Sequence, residues 1–136
     1  MDIDLRTLIS RLNLSCRVAL EGAAEKCLEL KHPCVESEHF LDVLLSHEST
    51  LEFRIWLSSC DVDVDPILRE IQIFLSEIPQ SDSEMPSIGQ YLTDWLSAAW
   101  VRVSGLAGRQ QIDICALFFA AVDDKKIRHR VMSTTP

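Results

Sequence analysis

The sequence is short of basic residues. Its 136 residues contain 13 Lys and Arg against 21 Asp and Glu, giving a formal net charge of -8 at pH 7. A negative surface repels the phosphate backbone of nucleic acids unless a local basic patch overrides the total charge. The only basic cluster, residues 125–130, is expected at a helix end, where Lys, Arg and His complement the helix dipole. We therefore predict that nucleic acid is not a partner.

Long apolar runs are also missing. A membrane-spanning helix needs roughly 18 or more apolar residues in a row, and no run reaches that length. The N-terminus, MDIDLRTL, has neither the basic region nor the apolar region of a signal peptide. The five cysteines are odd in number and lie mostly in apolar helical stretches, which predicts reduced, buried thiols. We expect a cytoplasmic bacterial protein that does not bind membranes.

The sequence does have apolar residues at helical spacing along most of its length. Asp65 followed by Pro66 predicts a helix start, and Ser87 and Asp113 are further predicted N-caps. Residues 61–64 alternate but lack a partner strand, so an extended link is expected there. Helices are predicted at about 4–12, 15–31, 37–46, 51–59, 66–78, 88–104, 114–122 and 124–132.

The two parts of the chain on either side of a proline- and serine-containing linker resemble each other. Alanine pairs at 23–24 and 98–99 each lie in a long amphipathic helix. Val35 and Ile112 each lead into a strongly apolar helix. This similarity predicts one all-α domain built as a pseudo-two-fold tandem repeat of four-helix units. The predicted boundaries are an extra N-terminal helix at 4–12, a first repeat at about 14–78, a linker at 79–87 and a second repeat at about 88–132.

Two motifs resemble known sequences. Val35, His39 and Leu41 form a Val-x-x-x-His-x-Leu signature similar to that of the N-terminal domains of Clp unfoldases. The opening segment resembles that of the ClpV branch, the unfoldases of type VI secretion, and Trp95-Leu96 and Trp100 fit the same family. Leu14 departs from the family, which often has proline there. The opening segment reads Leu5-x-x-Leu8-Ile9-x-Arg11-Leu12-Asn13-x-x-Cys16-Arg17-x-x-Leu20-Glu21-x-Ala23-Ala24.

The resemblance implies a Clp N-terminal domain that recognises a substrate. In the ClpV family this domain binds an amphipathic helix of the sheath subunit, a TssC/VipB-like protein, so that contracted sheath is disassembled and recycled by an ATP-driven hexamer. The isolated domain is expected to be a monomer. The chain has no Gly-x-x-x-x-Gly-Lys-Ser/Thr phosphate loop, so no enzyme activity is expected of it. The alternative is an adaptor or protease-recognition domain of the same fold with a different client.

A hydrophobic groove is the predicted binding site. The first helix is too short to be stable alone and is expected to dock on the second, leaving a furrow between them that accepts a helix. Ala19 and Ala23 are its predicted floor, and the resemblance adds residues from the helix after the linker. For each residue of the predicted groove, the alternative is that its side chain is simply buried in the core of the domain. The predicted walls are Leu8, Leu12, Leu14 and Leu20, completed by Ile88, Tyr91 and Leu92.

Patterns for metals and catalysis are incomplete. The aspartates in 61–65 imitate the start of a calcium loop, but Pro66 and Gln72 occupy the positions that require glycine and glutamate. The histidines and cysteines in 27–39 match no zinc-ligand spacing. No cysteine or serine lies in a nucleophile-elbow pattern. We predict no metal, no cofactor and no catalytic residue in this chain.

Overall fold

The computed structural model describes residues 5–81, 86–106 and 111–123, and in these residues it is all-α, as predicted. A 3₁₀ turn spans Glu48–Thr50 and a π-helical turn spans Arg102–Leu106. The helix predicted at 124–132 and residues 82–85 of the linker lie outside the described residues. The elements are α1 (Leu5–Ser10), α2 (Leu14–Glu29), β1 (Cys34–Val35), α3 (Ser37–Ser46), α4 (Leu51–Ser59), α5 (Val64–Glu77), β2 (Ser87–Ile88), α6 (Gln90–Val101) and α7 (Ile114–Asp123).

Two helices begin at matching side-chain caps. The Asn13 Oδ1 accepts a hydrogen bond from the Cys16 backbone N–H at 3.0 Å, at the start of α2. The predicted cap Asp113 accepts from the Ala116 backbone N–H at 2.9 Å, at the start of α7. Each cap satisfies one of the N–H groups that a helix start leaves without a partner inside the helix.

The starts of α5 and α6 differ from the prediction. Asp63, rather than Asp65, precedes α5, and its carboxylate accepts from the Asp65 N–H at 3.3 Å. Pro66 then lies in the first turn, where its missing N–H has no helical partner to lose. Ser87 is not a cap, because it is part of β2 and α6 begins at Gln90.

Short parallel pairings connect the two halves of the chain. Strand β1 pairs with β2, with Cys34 opposite Ser87. A separate parallel bridge joins Leu12 to Ile112. In each pairing, the segment before a long helix of one half lies beside the segment before an apolar helix of the other half. The halves are therefore linked reciprocally, while the repeat boundaries stay a prediction.

Two segments approach each other closely where β2 leads into α6. The Gly89 N–H donates to the Val35 carbonyl oxygen at 2.9 Å. A Cβ atom at this position would collide with the Glu36 carboxylate. The absence of a side chain thus lets the two segments approach closely.

Helix α3 lies in the middle of the domain, as its apolar composition predicts, and packs against α2, α4, α5 and α6. Trp95 of α6 is fully buried beside it. The Trp95 ring lies 5.4 Å from Phe40 and 6.1 Å from Phe53, edge to face. Its indole N–H donates to the Leu117 carbonyl oxygen at 2.9 Å. One core thus extends through both halves of the chain.

The prediction that the cysteines are buried is right for two of the five. Burial, assisted by the Asp113 carboxylate, raises the pKa of Cys16 to about 12. Burial is also the main cause that raises the pKa of Cys27 to about 11. Cys60 is exposed because it follows the last residue of α4, whereas the remaining two thiols are half-buried.

Candidate functional site

The N-terminal helix packs in a different place from the one predicted. Its main contacts are with α6 rather than with α2. The Arg11 guanidinium lies 5.2 Å from the Trp100 ring centroid, a cation–π contact. Arg11 also accepts a backbone hydrogen bond from Ile112 at 2.6 Å. α1 is therefore fixed by the second half of the chain, and the expected furrow between α1 and α2 alone is not the arrangement found.

The predicted floor of the groove is covered. Ala19 is 2% exposed and Ala23 is 0% exposed, because the rest of the domain packs over the face of α2 that carries them. The expectation of an accessible alanine floor is therefore corrected. Most of the predicted walls are core as well, namely Leu8, Leu12, Leu20 and Leu92.

Other predicted site residues are accessible. Leu14, the first residue of α2, is 76% exposed, and Tyr91 in the first turn of α6 is 47% exposed. Ile88 is half-buried. Val18 was not predicted, yet it is exposed and lies one turn after Leu14 on the same face of α2. Its position four residues after Leu14, outside the buried stripe, is the sequence signal that could have identified it.

The accessible residues lie at opposite ends of α2. Leu14 begins the helix, near the bridge between Leu12 and Ile112. Ile88 pairs with Val35, and the strand that contains Val35 packs near the other end of α2. The 16 residues of α2 rise about 24 Å at 1.5 Å per residue. The accessible predicted residues Leu14 and Ile88 therefore lie toward opposite ends of α2.

A buried histidine pair occupies the region considered for zinc. The His32 Nδ1 and His39 Nε2 atoms are 2.8 Å apart. The His39 Nδ1 accepts from the Glu36 backbone N–H at 2.9 Å, so the His39 Nε2 carries the proton and donates to His32. Burial, followed by the neighbouring His32 and Lys26, lowers the pKa of His39 to about 4. Burial also lowers the pKa of His32. Both rings are therefore neutral near pH 7 and hold the start of α3 in place.

The ring nitrogens of His39 are both engaged in hydrogen bonds, which leaves no lone pair for a metal. The nearby Cys27 thiol contacts the backbone carbonyl oxygens of His32 and Cys34 at 3.4 and 3.2 Å. In the part of the chain that the structure describes, no group of three or more His, Cys, Asp or Glu is placed to hold a metal ion.

The fold and the sequence define the class of protein. Residues 11–134 match the family of the Clp repeat (R) N-terminal domain, and the chain belongs to that family. The domains of this family bind substrates and are not catalytic domains. Within this class, the chain is similar to the N-terminal domain of the ClpV1 ATPase from the E. coli EAEC Sci1 type VI secretion system. The two share 31% sequence identity over 90% of this chain and 74% of that chain, with a TM-score of 0.75.

Two further solved structures have comparable similarity. The N-domain of ClpV from Vibrio cholerae is 29% identical, over 99% of this chain and 84% of that chain, with a TM-score of 0.76. A ClpV N-domain solved in complex with a VipB peptide is 28% identical, over 100% of this chain and 86% of that chain, also with a TM-score of 0.76. The comparison with curated proteins gives no match. None of the helices in the described residues has the length and apolar character needed to cross a bilayer.

Proposed function

We propose that this chain is the substrate-recognition domain of a ClpV-like unfoldase of type VI secretion. It binds an amphipathic helix of the sheath subunit, a TssC/VipB-like protein, and presents contracted sheath for disassembly and recycling. The observation that carries the proposal is the match over the whole chain to a ClpV N-domain in complex with a VipB peptide. The site of action is the cytoplasm of a bacterium.

The exposed residues along α2 support the proposal. Leu14 and Val18 form an accessible aliphatic pair on one helix face, and Tyr91 supplies an accessible ring on α6. Helix-in-groove recognition relies on a few apolar anchors of the ligand that bury such side chains. The bound helix then contacts the exposed residues. The buried alanines of α2 contribute indirectly, by packing in the core and keeping this part of the domain rigid.

The proposed role requires binding and no chemistry. The domain uses no cofactor and no metal, and ATP hydrolysis belongs to the ATPase modules of the full-length family protein. A single domain binds its helix with modest affinity. Six copies in a hexameric ring raise the effective concentration and thus the avidity for a sheath that displays many copies of the helix.

The test is titration calorimetry with a synthetic peptide of the sheath-subunit helix from the same genome. We expect binding by the native domain and a Kd at least about 100-fold higher for the double variant L14D/V18D, since burying each aliphatic side chain contributes about 1.5–3 kcal/mol and about 1.4 kcal/mol changes the Kd tenfold. Leu14 is the first residue of α2, where an acidic residue is favourable, so the fold should persist.

The matched control is I73D, because Ile73 is an exposed apolar residue on α5 whose accessibility lies between those of Leu14 and Val18. It changes the net charge in the same direction and should leave the Kd unchanged. If the native domain fails to bind the sheath helix, the proposed function is wrong. If L14D/V18D binds as tightly as the native domain, the function stands and the surface is misassigned.

A further inference from the structure

The start of α6 has no acidic residue of its own. Gly89 precedes the helix and has no side chain that could act as a cap, and the first turn contains no Asp or Glu. The Gln90 side chain is directed along the helix, where its amide donates to the Asp94 carboxylate at 2.8 Å. A helix start has N–H groups without helical partners and carries a partial positive charge. The start of α6 is therefore suited to receive a carboxylate from elsewhere in the chain.

Glu36, from the other half of the chain, brings a carboxylate to this place. Its side chain takes part in the capping box at the start of α3. Its Oε1 atom is also the nearest atom that a Cβ on Gly89 would meet. The carboxylate therefore lies against the backbone of Gly89, directly before α6. One acidic side chain is thus shared by the starts of two helices, one in each half of the chain.

The backbone of Gly89 is held from two directions. Its φ of -67° and ψ of 155° are extended values that any residue adopts, so no unusual backbone conformation selects glycine here. The Gly89 N–H donates to the Val35 carbonyl oxygen, and the Glu36 carboxylate packs where a side chain would otherwise project. The missing side chain therefore serves the contact with Glu36.

The accessible residue that depends on this arrangement is Tyr91. It lies in the first turn of α6, two residues after Gly89, and its side chain is exposed. The next residue, Leu92, is fully buried, so the turn is anchored on one side and open on the other. Helix ends open more readily than helix interiors. A side chain in the first turn keeps one orientation only while that turn stays closed.

We propose that Glu36 is a positioning residue for the sheath-binding surface: its carboxylate holds the first turn of α6 closed and so presents Tyr91 to the bound helix. This inference rests on the proposed function, which supplies the bound helix. Glu36 acts through Gly89 and Tyr91 and does not itself contact the ligand. The alternative is that Glu36 only caps α3.

Two substitutions separate these roles. E36D keeps a favoured N-cap residue for α3, but its side chain is one methylene shorter, which withdraws the carboxylate from Gly89. G89A leaves Glu36 in place and adds the Cβ that displaces its carboxylate. The matched control is D113A, which removes a cap from the start of a different helix, α7.

The first readout is hydrogen exchange, measured by NMR at two equivalent amides. The Thr93 N–H donates to the Gly89 carbonyl oxygen at 3.1 Å, and the Leu117 N–H donates to the Asp113 carbonyl oxygen, also at 3.1 Å. Each bond is the first of its helix, so the ratio of the two exchange rates cancels a general loss of stability. E36D and G89A should raise the rate at Thr93 relative to Leu117 about two- to fivefold, the range for one charge at a helix start. D113A should change the ratio in the opposite direction.

The second readout is the affinity for the sheath-helix peptide, measured by calorimetry. The Kd should be about two- to fivefold higher for E36D and for G89A, because a smaller fraction of each variant has a closed first turn. D113A should bind like the native domain. G89A should weaken binding less in an E36A background than in the native one, because E36A leaves no carboxylate to displace.

An unchanged exchange ratio in both E36D and G89A would overturn the inference, and so would a raised ratio with an unchanged Kd. An equal loss of affinity in D113A would also overturn it, since lost stability would then be sufficient. A native domain that binds no peptide overturns the proposed function, and with it the role of Glu36 in binding. A loss of affinity confined to E36D and G89A concerns Glu36 alone and supports the inference.

Discussion

The start of α3 and the start of α7 hold corresponding places in the two predicted repeats, yet they are built from different side chains. Each follows a short extended segment that pairs with the other half of the chain. The start of α3 buries polar residues, including Ser37, Glu38 and His39, whereas that of α7 buries Ile114, Ala116 and Leu117. The comparison teaches that the backbone pairing and the shared core, rather than one type of helix start, define this fold.

The two starts also satisfy their backbone groups differently. At α3, the Glu36 side chain accepts from the His39 backbone N–H while the His39 ring accepts from the Glu36 N–H, which is a capping box. At α7, the Asp113 carboxylate accepts from the Ala116 N–H. We therefore expect stability to depend on pH mainly through the first half of the chain.

The largest expected effect tests whether the halves unfold together. Trp95 joins the two halves of the chain. Its ring contacts Phe40 and Phe53, and its indole N–H donates to the Leu117 carbonyl oxygen. W95A should lower the free energy of unfolding by about 3–5 kcal/mol, as is usual for truncating a large core aromatic. Urea denaturation followed by circular dichroism measures this. A variant that unfolds in two steps, with one step unchanged, would show that the halves are independent.

The next largest effect is a dependence of stability on pH, which we expect from the start of α3 and not from the start of α7. The pKa of His39 is about 4 in the folded domain and about 6.5 in an unfolded chain. The unfolded state therefore binds the proton first as the pH falls. The contribution of His39 to stability should be constant above about pH 7 and fall by about 3 kcal/mol between pH 6.5 and pH 4.

Urea midpoints across this pH range measure the loss. H39Q should flatten most of the profile at a cost in stability at pH 7, because glutamine does not titrate there. H47Q is the control, since His47 is exposed at the end of the same helix, and it should keep the native profile. A native profile that is flat from pH 7 to pH 4 would contradict the assignment.

The smallest effect compares the two simple caps. N13A and D113A should each destabilise the domain by about 1 kcal/mol, the usual cost of losing an N-cap side chain. D113N should lose less than D113A, because asparagine still accepts the hydrogen bond and only the favourable charge at the helix start is removed. Thermal denaturation of the three variants ranks them. Equal losses for D113N and D113A would mean that the charge, and not the hydrogen bond, is the stabilising part.

Periodicity predicts the helices of this fold well and the strands poorly. The bounds of α3 agree with the prediction, since apolar residues cover nearly all of its faces and Ser37 and Ser46 delimit it. Strands β1 and β2 contain two residues each, which is too short for an alternating pattern to appear. Asp63 and Asp65 are both suitable residue types for the cap of α5. Which of them caps the helix depends on the direction of its side chain, which the residue type alone does not specify.

The candidate site shows a different limit. Ala19 and Ala23 lie on the apolar stripe of α2, and small apolar residues suit a groove floor as well as a closed core. Only the packing of the neighbouring helices decides between them, and here it covers both alanines. An apolar cleft between the C-terminal end of α4 and α7, which Cys60 and Cys115 help to line, is also beyond sequence reasoning, because these residues come together only in the folded domain.

The bridge between Leu12 and Ile112 bears on how the domain is made in the cell. Leu12 leaves the ribosome early, but its partner is synthesised only near the end of the domain. Contacts between residues so distant in sequence form late and slow the search for the native state. The apolar side of α1 therefore stays uncovered until the segment that contains Ile112 has been synthesised and can pair with it.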